Sequence, residues 1–499
     1  MTVRSKPSTT LFLPTALGFF LLATRTGAMV PLENWRSDYF RMAAEFEWAD
    51  RTECGMFWDG IGFCDSVRIP KTLRAGTSME GNYWRLEPAV SAGWRQLHDN
   101  GDTYADGHLY NEASYGALTA RQLLHVDTRY DDDPDYPAHP GRALRGRIEE
   151  ATLTAAWKYG FLRIGRQNRS WGPFPDRSLL LSSYPYTYDA VELQILGKGF
   201  EFRHLFAPFS NNRASGDSDD GSLYDRYLTA HSLNVRFNRW VTVGITETVL
   251  FTRRNAFPDL AYVNPVSIYS VINTNQEGDG NLMLGFQWNI HPGIEDVSLR
   301  GQLVLDDFQV DNNVVTDKEP THWGIDAGIF WRNPFNSISY SHLLKLECIY
   351  ASEWIYTVAD ENGRMGERYI LNHKSLGLPF NDGLLLRGGM TAFLPYGIAG
   401  ECMVSYRRAG GNTPLTSWRD DAFVRGLPVS YNRPVSRRAA AQLTILWPYR
   451  EWIDMRTSVD IGWIRNRNNV ATDRYVSDPA FSISAGVHLD NLHRKLPEP

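Results

Sequence analysis

The chain has 499 residues, of which 43% are hydrophobic and 22% charged, and its formal net charge is -6 at pH 7. A net acidic chain without a long Lys/Arg cluster is a poor nucleic-acid binder, which excludes nucleic acid as a partner class. A soluble chain of this length usually divides into several domains. Here no Pro/Ser/Gly-rich linker and no repeat of fixed period divides the sequence, which favours one large closed sheet.

Residues 1–28 have the pattern of a secretory signal peptide. Arg4 and Lys6 precede an apolar run from Leu11 to Ala23, and the small residues Thr26-Gly27-Ala28 follow it. The run is too short to span a bilayer, and no long apolar stretch follows downstream. We therefore expect export and removal of this segment. Because no Cys lies at the signal junction, a lipoprotein is disfavoured.

Residues 29–78 are predicted to form an N-terminal periplasmic segment. Within residues 33–49, apolar side chains recur at the three- and four-residue spacing of a helix: Trp35, Tyr39, Met42, Ala43 and Phe46. This helix either simply precedes the first strand or closes the periplasmic mouth of a barrel as a plug. Cys54 and Cys64 lie close together in an oxidising compartment, so a local disulfide between them is plausible.

From residue 79 to 489 the sequence alternates in the manner of β-strands. In one segment, Met455 and Ile461 lie on one face and Arg456 and Asp460 on the other. That period of two indicates strands with one apolar and one polar side. Tight turns alternate with long loops, which is typical of an all-β, antiparallel up-and-down transmembrane β-barrel in the outer membrane. The segments interpreted as strands are 82–97, 107–127, 147–158, 160–167, 185–196, 199–208, 225–238, 240–252, 281–292, 295–308, 321–332, 338–351, 383–394, 397–408, 437–448, 452–465 and 478–489.

Aromatic residues gather beside the tight turns. Indole and phenol rings prefer the headgroup layer, so these residues are predicted to form the periplasmic girdle of the barrel. They are Trp157, Tyr159, Trp240, Trp331, Tyr396, Trp447, Tyr449 and Trp452.

The number of strands follows from parity. The segments number seventeen, whereas single-chain bacterial barrels have an even number of strands and both ends in the periplasm. Segment 82–97 leads into a fairly tight connection at 98–106, which implies that it descends from the outside. One ascending strand is therefore expected between Gly55 and Ser78, for a total of about 18 strands. Sixteen is the alternative if 82–97 belongs to a plug. Residues 490–499 form a C-terminal tail.

Two features depart from plain alternation. Glu247 stands on the apolar face of segment 240–252, so either the strand has left the hydrocarbon there or a bulge turns the side chain inward. The acidic run Asp131-Asp132-Asp133, with Asp135, falls in a long loop. It is either a solvated loop or a place where divalent ions bridge to lipopolysaccharide or an acidic polymer.

Several strand ends and loops carry residues beyond what alternation requires. They are Gly165-Arg166-Gln167 with Trp171-Gly172-Pro173, Asp306-Asp307-Phe308, and the loop from Glu347 to Gly377 with Tyr356-Thr357, His373 and Leu376-Gly377. In these segments the chain resembles the capsule assembly Wzi family of outer-membrane proteins, from about residue 144 to the end. The resemblance implies an eighteen-stranded barrel, a helical periplasmic plug and a lectin-like role that holds capsular polysaccharide at the cell surface. The family is not known as enzymes. The spacing from His373 to Gly377 is shorter than the family's usual one.

Polysaccharide recognition requires flat apolar faces for sugar rings and planar hydrogen-bonding groups for hydroxyls or carboxylates. Arginine can grip a carboxylate bidentately. For the charged residues among the candidates, the alternative is structural ion pairing inside the barrel, and Trp171 could instead shape a loop folded into the lumen. The candidate polysaccharide-binding residues are Arg166, Trp171, Arg226, Asn281, Asp306, Glu347, Trp354, Tyr356 and His373.

The sequence therefore predicts an outer-membrane, lectin-like protein that binds or anchors capsular or other extracellular polysaccharide without turnover. Its expected partners are that polysaccharide and the outer-membrane lipid with its lipopolysaccharide. We expect a monomer with no cofactor and no metal. The alternative is a porin for small polar solutes. Catalysis is disfavoured because no nucleophile motif is present, and because Glu149-Glu150 and Asp306-Asp307 place neighbouring carboxylates on opposite faces of a strand.

Overall fold

A computed structural model describes most of the chain beyond residue 81. The described residues are Met42, Glu45, 82–97, 100–131, 133, 135–136, 146–174, 177–209, 225–253, 258–275, 280–307, 322–335, 337–358, 365–416, 434–450, 453–488 and 492–495. The predicted signal peptide and the Cys54–Cys64 pair lie outside them. None of the helices in these ranges is long and apolar enough to cross a membrane.

Among the described residues, eighteen strands form a closed antiparallel barrel. They are Tyr83–Leu97 (β1), Asn100–Tyr115 (β2), Leu118–Asp127 (β3), Gly146–Trp157 (β4), Gly160–Gln167 (β5), Tyr188–Gly197 (β6), Phe200–Phe209 (β7), Asp225–Asn238 (β8), Val241–Arg253 (β9), Gly280–Ile290 (β10), Val297–Asp307 (β11), His322–Arg332 (β12), Ser341–Ala351 (β13), Gly383–Phe393 (β14), Ala399–Ala409 (β15), Ser436–Arg450 (β16), Ile453–Arg465 (β17) and Ala480–His488 (β18).

Shorter elements occupy the connections. Two short helices lie between β9 and β10, Leu260–Val263 (α1) and Tyr269–Asn275 (α2). Single 3-10 turns and two-residue strands complete the connections: Thr128–Asp131, Met365–Glu367, Pro395–Gly397, Arg467–Asn469, Ile370–Leu371, Lys374–Ser375 and Val476–Ser477.

The barrel closes between its first and last strands. Each strand pairs with its neighbour in sequence, and β1 pairs with β18 from Ala89↔His488 to Leu97↔Ala480. Leu492–Lys495, inside the predicted C-terminal tail, continues this ladder as far as Tyr83. Closure leaves no unpaired edge, which is the condition for a sheet to sit in hydrocarbon.

The two faces of the wall have opposite chemistry. On β17, Ile461 and Trp463 point outward and are 49% and 51% exposed, whereas Asp454 and Arg456 point inward and are 3% and 6% exposed. Short turns lie at one end of the barrel, and the long loops lie at the other, together with the short connection between β1 and β2. In outer-membrane barrels the short turns face the periplasm, so the end with the long loops is here called the outer end.

The strand count agrees with the expectation of eighteen, but the partition that led to it was wrong. The predicted segment 107–127 is two strands, β2 and β3, joined by a tight turn at Gly116, whose φ is +58°. The predicted strand between Gly55 and Ser78 lies outside the described residues, and the barrel closes without it. The last strand, β18, follows a long loop at the outer end and therefore descends to the periplasmic end. Because β1 pairs antiparallel with β18, β1 ascends from the periplasmic end rather than descending from the outside.

Glu247 remains on the outward face of β9, without a bulge that turns it inward. The segment that contains α1 and α2 folds back over the outside of the wall and covers it. The backbone N–H of Tyr269 and the hydroxyl of Ser270 donate to its carboxylate at 3.0 and 2.9 Å. His231 Nε2 lies 3.0 Å from the same group. Glu247 can therefore lie on the apolar outer face because protein groups, rather than lipid, surround its carboxylate.

Two residues of the predicted helix 33–49 are described, and both are helical and buried. Glu45 lies inside the barrel, where Lys345 Nζ on β13 contacts its Oε2 at 2.7 Å. Arg300 on β11 donates to the Glu45 carbonyl oxygen at 3.3 Å. At these two residues, the N-terminal segment occupies the lumen.

Candidate functional site

Two outer loops fold inward and join inside the barrel. They lie between β5 and β6, where 168–174 and 177–187 are described, and between β13 and β14, where 352–358 and 365–382 are described; they are called here the first and second plug loops. The Ser182 N–H donates to the Leu376 carbonyl oxygen at 2.8 Å, which links the two loops directly. The Asp382 N–H donates to the Ser352 carbonyl oxygen at 3.0 Å and closes the base of the second loop.

The plug loops share an apolar core with the wall. Leu179, Leu180 and Leu181 of the first loop and Ile355 and Tyr356 of the second are fully buried. They pack against side chains that point inward from the outer halves of β8 to β11, namely Leu228, Leu250, Met283 and Val304. Burying one such side chain contributes roughly 1.5–3 kcal/mol. Protein therefore fills the outer half of the lumen on this side.

Arg226 fastens the second plug loop to the wall. Its guanidinium donates to three backbone carbonyl oxygens of that loop, those of Gly366 at 2.7 Å and of Arg368 and Ile370 at 2.9 Å each. Asp306 plays a similar part from β11, since its Oδ2 accepts from the Tyr356 N–H at 2.7 Å. Both residues are predicted polysaccharide contacts, and in the structure each hydrogen-bonds the backbone of the second plug loop.

Glu347 is the centre of a buried ion cluster. Its carboxylate accepts from Arg177 of the first plug loop and from Arg387 Nε on β14, the latter at 2.6 Å. Arg177 also contacts Asp326 on β12 at 2.6 Å. The side chain of Glu347 is fully enclosed. The cluster binds the first plug loop to the wall and matches the ion-pairing alternative for Glu347.

The three predicted aromatic platforms lie inside the plug. Trp171, Trp354 and Tyr356 are 4%, 7% and 0% exposed. Tyr369 stacks on Tyr356 with ring centroids 6.1 Å apart. The backbone N–H of Trp171 donates to the Leu181 carbonyl oxygen at 2.8 Å. Because protein covers these rings, a sugar would reach them only after the loops rearranged.

The remaining three candidates are scattered. Arg166 points outward and forms a two-point ion pair with Asp189, at 3.0 and 2.8 Å. Asn281 points inward from β10, and its buried Nδ2 has no hydrogen-bond partner among the described residues. His373 lies at the outer mouth, where its Nδ1 is 3.1 Å from Asp135 Oδ1. Six of the nine predicted residues therefore lie in the plug loops or contact them from the wall, and His373 lies in the second plug loop at the outer mouth.

Above the plug, three outer segments meet through Asp133. Its carboxylate accepts hydrogen bonds from Lys374 Nζ at 2.7 Å and from the Tyr186 hydroxyl. The ammonium group of Lys374 also lies 4.0 Å from the centre of the Tyr186 ring. Burial alone would raise the pKa of Asp133, but the bonds from Lys374 and Tyr186 outweigh it and hold the pKa below its ordinary value. One residue of the acidic run is therefore an ionised tie between loops rather than a solvated side chain.

Beside this tie, at the outer mouth of the lumen, lie four groups that are partly or fully exposed to solvent. They are Tyr184, His373, Phe380 and Arg407, called here the mouth patch. The Arg407 guanidinium lies 5.2 Å from the centre of the Phe380 ring. Within the described ranges it has no carboxylate partner, unlike the adjacent Arg438, which pairs with Asp460 and Asp478 at 2.6 Å each. Burial raises the pKa of Tyr184, so its hydroxyl stays neutral.

Sequence reasoning missed three of the four residues of the mouth patch. Phe380 stood in the Leu378-Pro379-Phe380 segment, Tyr184 in Tyr184-Pro185-Tyr186 and Arg407 in an arginine pair. None of these patterns indicates a site by itself, because the three come together only when the plug loops fold.

One group in the described part of the chain has metal-ligand chemistry. Asp106, His108 and His125 each offer an atom within 4.8 Å of the others, on the inward faces of β2 and β3. Two imidazoles and a carboxylate are ligands that zinc accepts. The Asp106 carboxylate already accepts a hydrogen bond from the Ser91 hydroxyl and lies 3.7 Å from Arg129 Nη2. Protein groups therefore already balance this carboxylate without a metal ion.

No protein-family model matches this chain, and no curated protein matches it. Solved structures share its fold. Wzi, an outer membrane protein involved in group 1 capsule assembly in Escherichia coli and a carbohydrate-binding β-barrel, is similar over 81% of this chain and 84% of its own. The TM-score is 0.55 and the sequence identity 12%.

Two further barrels are similar at lower scores. OpdK from Pseudomonas aeruginosa is similar over 82% of this chain and 99% of its own, with a TM-score of 0.45 and 10% identity. OccAB1 from Acinetobacter baumannii is similar over 82% and 98%, with a TM-score of 0.45 and 9% identity. Identities this low speak only of the fold. This chain has the closed antiparallel fold of bacterial outer-membrane β-barrels.

Proposed function

We propose that this barrel binds capsular or other extracellular polysaccharide at the cell surface, as a lectin-like anchor without turnover. The observation that carries the proposal is the mouth patch, where the exposed guanidinium of Arg407, without a carboxylate partner among the described residues, lies beside half-buried aromatic rings at the outer mouth of the lumen. The Wzi barrel, described as carbohydrate-binding, shares the fold; at 12% identity this likeness speaks for the fold alone.

The chemistry of the patch favours an acidic polymer. Phe380 and Tyr184 supply faces on which a sugar ring can lie, and Arg407 supplies the planar cation that binds a uronate carboxylate bidentately. Each contact is weak, so a long chain would be retained through many simultaneous contacts. In this proposal Trp171, Trp354 and Tyr356 shape the plug that supports the patch, while the polymer contacts Arg407, Phe380, Tyr184 and His373.

Binding to defined polymers tests the patch. The purified protein in detergent is passed over immobilised alginate, a polyuronate, and over neutral dextran. We expect the unmodified protein to be retained on alginate. Arg407→Gln removes one charge-assisted hydrogen bond to a uronate carboxylate, so it should weaken binding to alginate about tenfold. Phe380→Ala should weaken it as well. The matched control is Arg253→Gln. Arg253 lies on β9, away from the mouth patch, and its guanidinium is paired with Asp259 at 2.7 Å. Unchanged retention in both patch variants would remove the patch from the proposal.

A pore for small polar solutes is the second candidate. Gln442 on β16 and Arg407 on β15 point inward and are exposed to solvent. Part of the lumen beside these two strands is therefore open to water. Planar-bilayer recordings separate the two functions. The anchor predicts almost no steady conductance, because the plug loops occupy the lumen, whereas large steady openings of the unmodified protein would favour the pore.

Retention of polymer by cells tests the anchor itself. Deleting the gene in an encapsulated host should release polymer into the medium, and the Arg407→Gln allele should reproduce part of that release. Equal capsule retention with and without the gene would contradict the anchor in that host.

A further inference from the structure

Three arginines stand in register at the outer end of the barrel wall. Arg408 on β15 is directly opposite Arg437 on β16, and Arg437 is directly opposite Arg465 on β17. All three alternate in phase with Val404 and Ile461, which point outward and are 62% and 49% exposed. The row therefore lies on the outside of the barrel, on three adjacent strands.

Their depth follows from the rows beneath them. One row nearer the membrane centre, Tyr406 and Trp463 flank Ala439, and the Trp463 side chain is 51% exposed. Exposed Trp and Tyr on a barrel wall mark the interface between hydrocarbon and headgroups. Successive outward rows are two residues, or roughly 7 Å, apart along a strand. The arginines thus lie just beyond the aromatic layer, at the level of lipid headgroups.

No described residue balances the charge of the three guanidinium groups. In the described part of the chain none of them has a carboxylate partner, although Arg465 Nε donates to the Thr472 carbonyl oxygen at 3.1 Å. The Nε atoms of Arg408 and Arg437 are buried without a hydrogen-bond partner. Like charges directly opposite each other across strands destabilise a sheet. An external anion on the exposed side of the row would remove that repulsion.

We infer that Arg408, Arg437 and Arg465 form a binding site for the phosphate groups of lipopolysaccharide in the outer leaflet. A guanidinium matches a phosphate group with two parallel N–H···O bonds. The apolar surface below the row, at Val404 and Ile461, would contact the acyl chains while the arginines hold the phosphorylated sugar. This site lies on the outside of the wall and does not depend on the proposed polysaccharide function.

Binding of purified lipid A by the detergent-solubilised protein tests the site, measured by native mass spectrometry. Diphosphorylated lipid A is compared with dephosphorylated lipid A of the same acyl composition. We expect the protein to retain the phosphorylated form at least about tenfold more strongly, the effect of one charge-assisted bond or more. Arg437→Gln should remove most of that preference, and the triple change to Gln should abolish it. Arg437→Lys, which keeps the charge but not the fork, should fall between.

The controls separate the site from general effects. Arg253→Gln removes an outward arginine that is already paired with Asp259, and it should leave the preference unchanged. Folding is checked by the heat-modifiable migration of the barrel; if the triple variant does not fold, the single Arg437→Gln variant decides. Equal retention of both lipids by the unmodified protein would overturn the inference. So would displacement of lipid A by millimolar inorganic phosphate, since that would identify a site for small anions.

Discussion

The hydroxyl of Tyr356 donates a hydrogen bond to the carbonyl oxygen of Leu179 at 2.8 Å, and this bond joins the two plug loops at the centre of the barrel. The hydroxyl oxygen of Tyr356 in turn accepts a hydrogen bond from the Leu378 backbone N–H at 3.2 Å. Tyr356 is fully buried, so water cannot replace either partner. The loops therefore behave as one unit whose stability depends on a few buried polar contacts.

Replacing Tyr356 by Phe should loosen both loops together. The change leaves the Leu179 carbonyl and the Leu378 N–H buried without a partner, which costs about 1–3 kcal/mol. Hydrogen exchange of the backbone amides in 178–182 and 369–378 should accelerate accordingly. Tyr159→Phe, at an exposed periplasmic turn, is the control and should change neither segment. Acceleration in only one loop would show that the two loops open independently.

Arg226→Gln should release the second plug loop from the wall. The variant loses a charged donor to the three carbonyl oxygens of Gly366, Arg368 and Ile370, a loss of roughly 3 kcal/mol if two of the bonds are not replaced. We expect measurable conductance in planar bilayers and faster proteolysis within 365–371. The control Arg253→Gln removes an exposed ion pair with Asp259. It should lower the free energy of unfolding by about 0–1 kcal/mol and produce no conductance. A closed, protease-resistant Arg226→Gln protein would contradict the fastening role.

Glu347→Gln should destabilise the folded barrel more than any exposed charge change. The variant leaves Arg177 and Arg387 facing a neutral side chain in a buried site, and breaking a buried pair costs about 3–5 kcal/mol. The measurement is the free energy of unfolding in urea with detergent or lipid present. Asp189→Asn, which removes the partner of the outward Arg166, should cost about 0–1 kcal/mol. Similar losses in the two variants would mean that the ion cluster does not hold the first plug loop.

The second plug loop should be less stable at high pH because of Glu353. Burial, followed by the neighbouring charge of Asp382, raises the pKa of Glu353 from its ordinary 4.5 to about 7. The folded protein therefore binds more protons than the unfolded chain between these two values, and stability falls as pH rises through that window. Hydrogen exchange of amides 353–358, corrected for intrinsic rates, should show more opening at pH 8.5 than at pH 5.5.

Two variants check the origin of that dependence. Glu353→Gln should make the opening independent of pH in this range. Asn412→Ala removes a donor that lies 2.5 Å from Glu353 Oε1 and favours the charged carboxylate, so it should move the midpoint to higher pH. A pH dependence that survives in Glu353→Gln would assign it to another group.

Predictions from local pattern succeeded where the pattern is local. Alternation along a strand assigns each residue to a face, so the outward position of Ile461 and the inward position of Arg456 were readable directly. Turn positions were harder. The Gly116 turn joins two strands that both alternate, so the predicted segment 107–127 ran across it as one strand, and the first part of β2 was interpreted as a connection.

The candidate site could not be predicted in the same way. Arg226 and Asp306 look like ligand-binding residues in a strand pattern, yet their partners are loop backbone groups far away in sequence, at Gly366 and Tyr356. At the mouth patch the cation is Arg407, which has no carboxylate partner among the described residues and which the sequence does not distinguish from Arg408 beside it. Whether a polar group is satisfied depends on which loop reaches it, and that is a property of the folded chain.

By itself, the sequence determined the period-two strands with an apolar outside and a polar inside, because a side chain's face depends only on its place in the strand. The tertiary structure alone decided which first and last strands close the barrel and which loops enter it. It also decided which charges are already paired. Those outcomes depend on contacts between distant segments, where burial and hydrogen bonding select one arrangement among many that the local pattern allows equally.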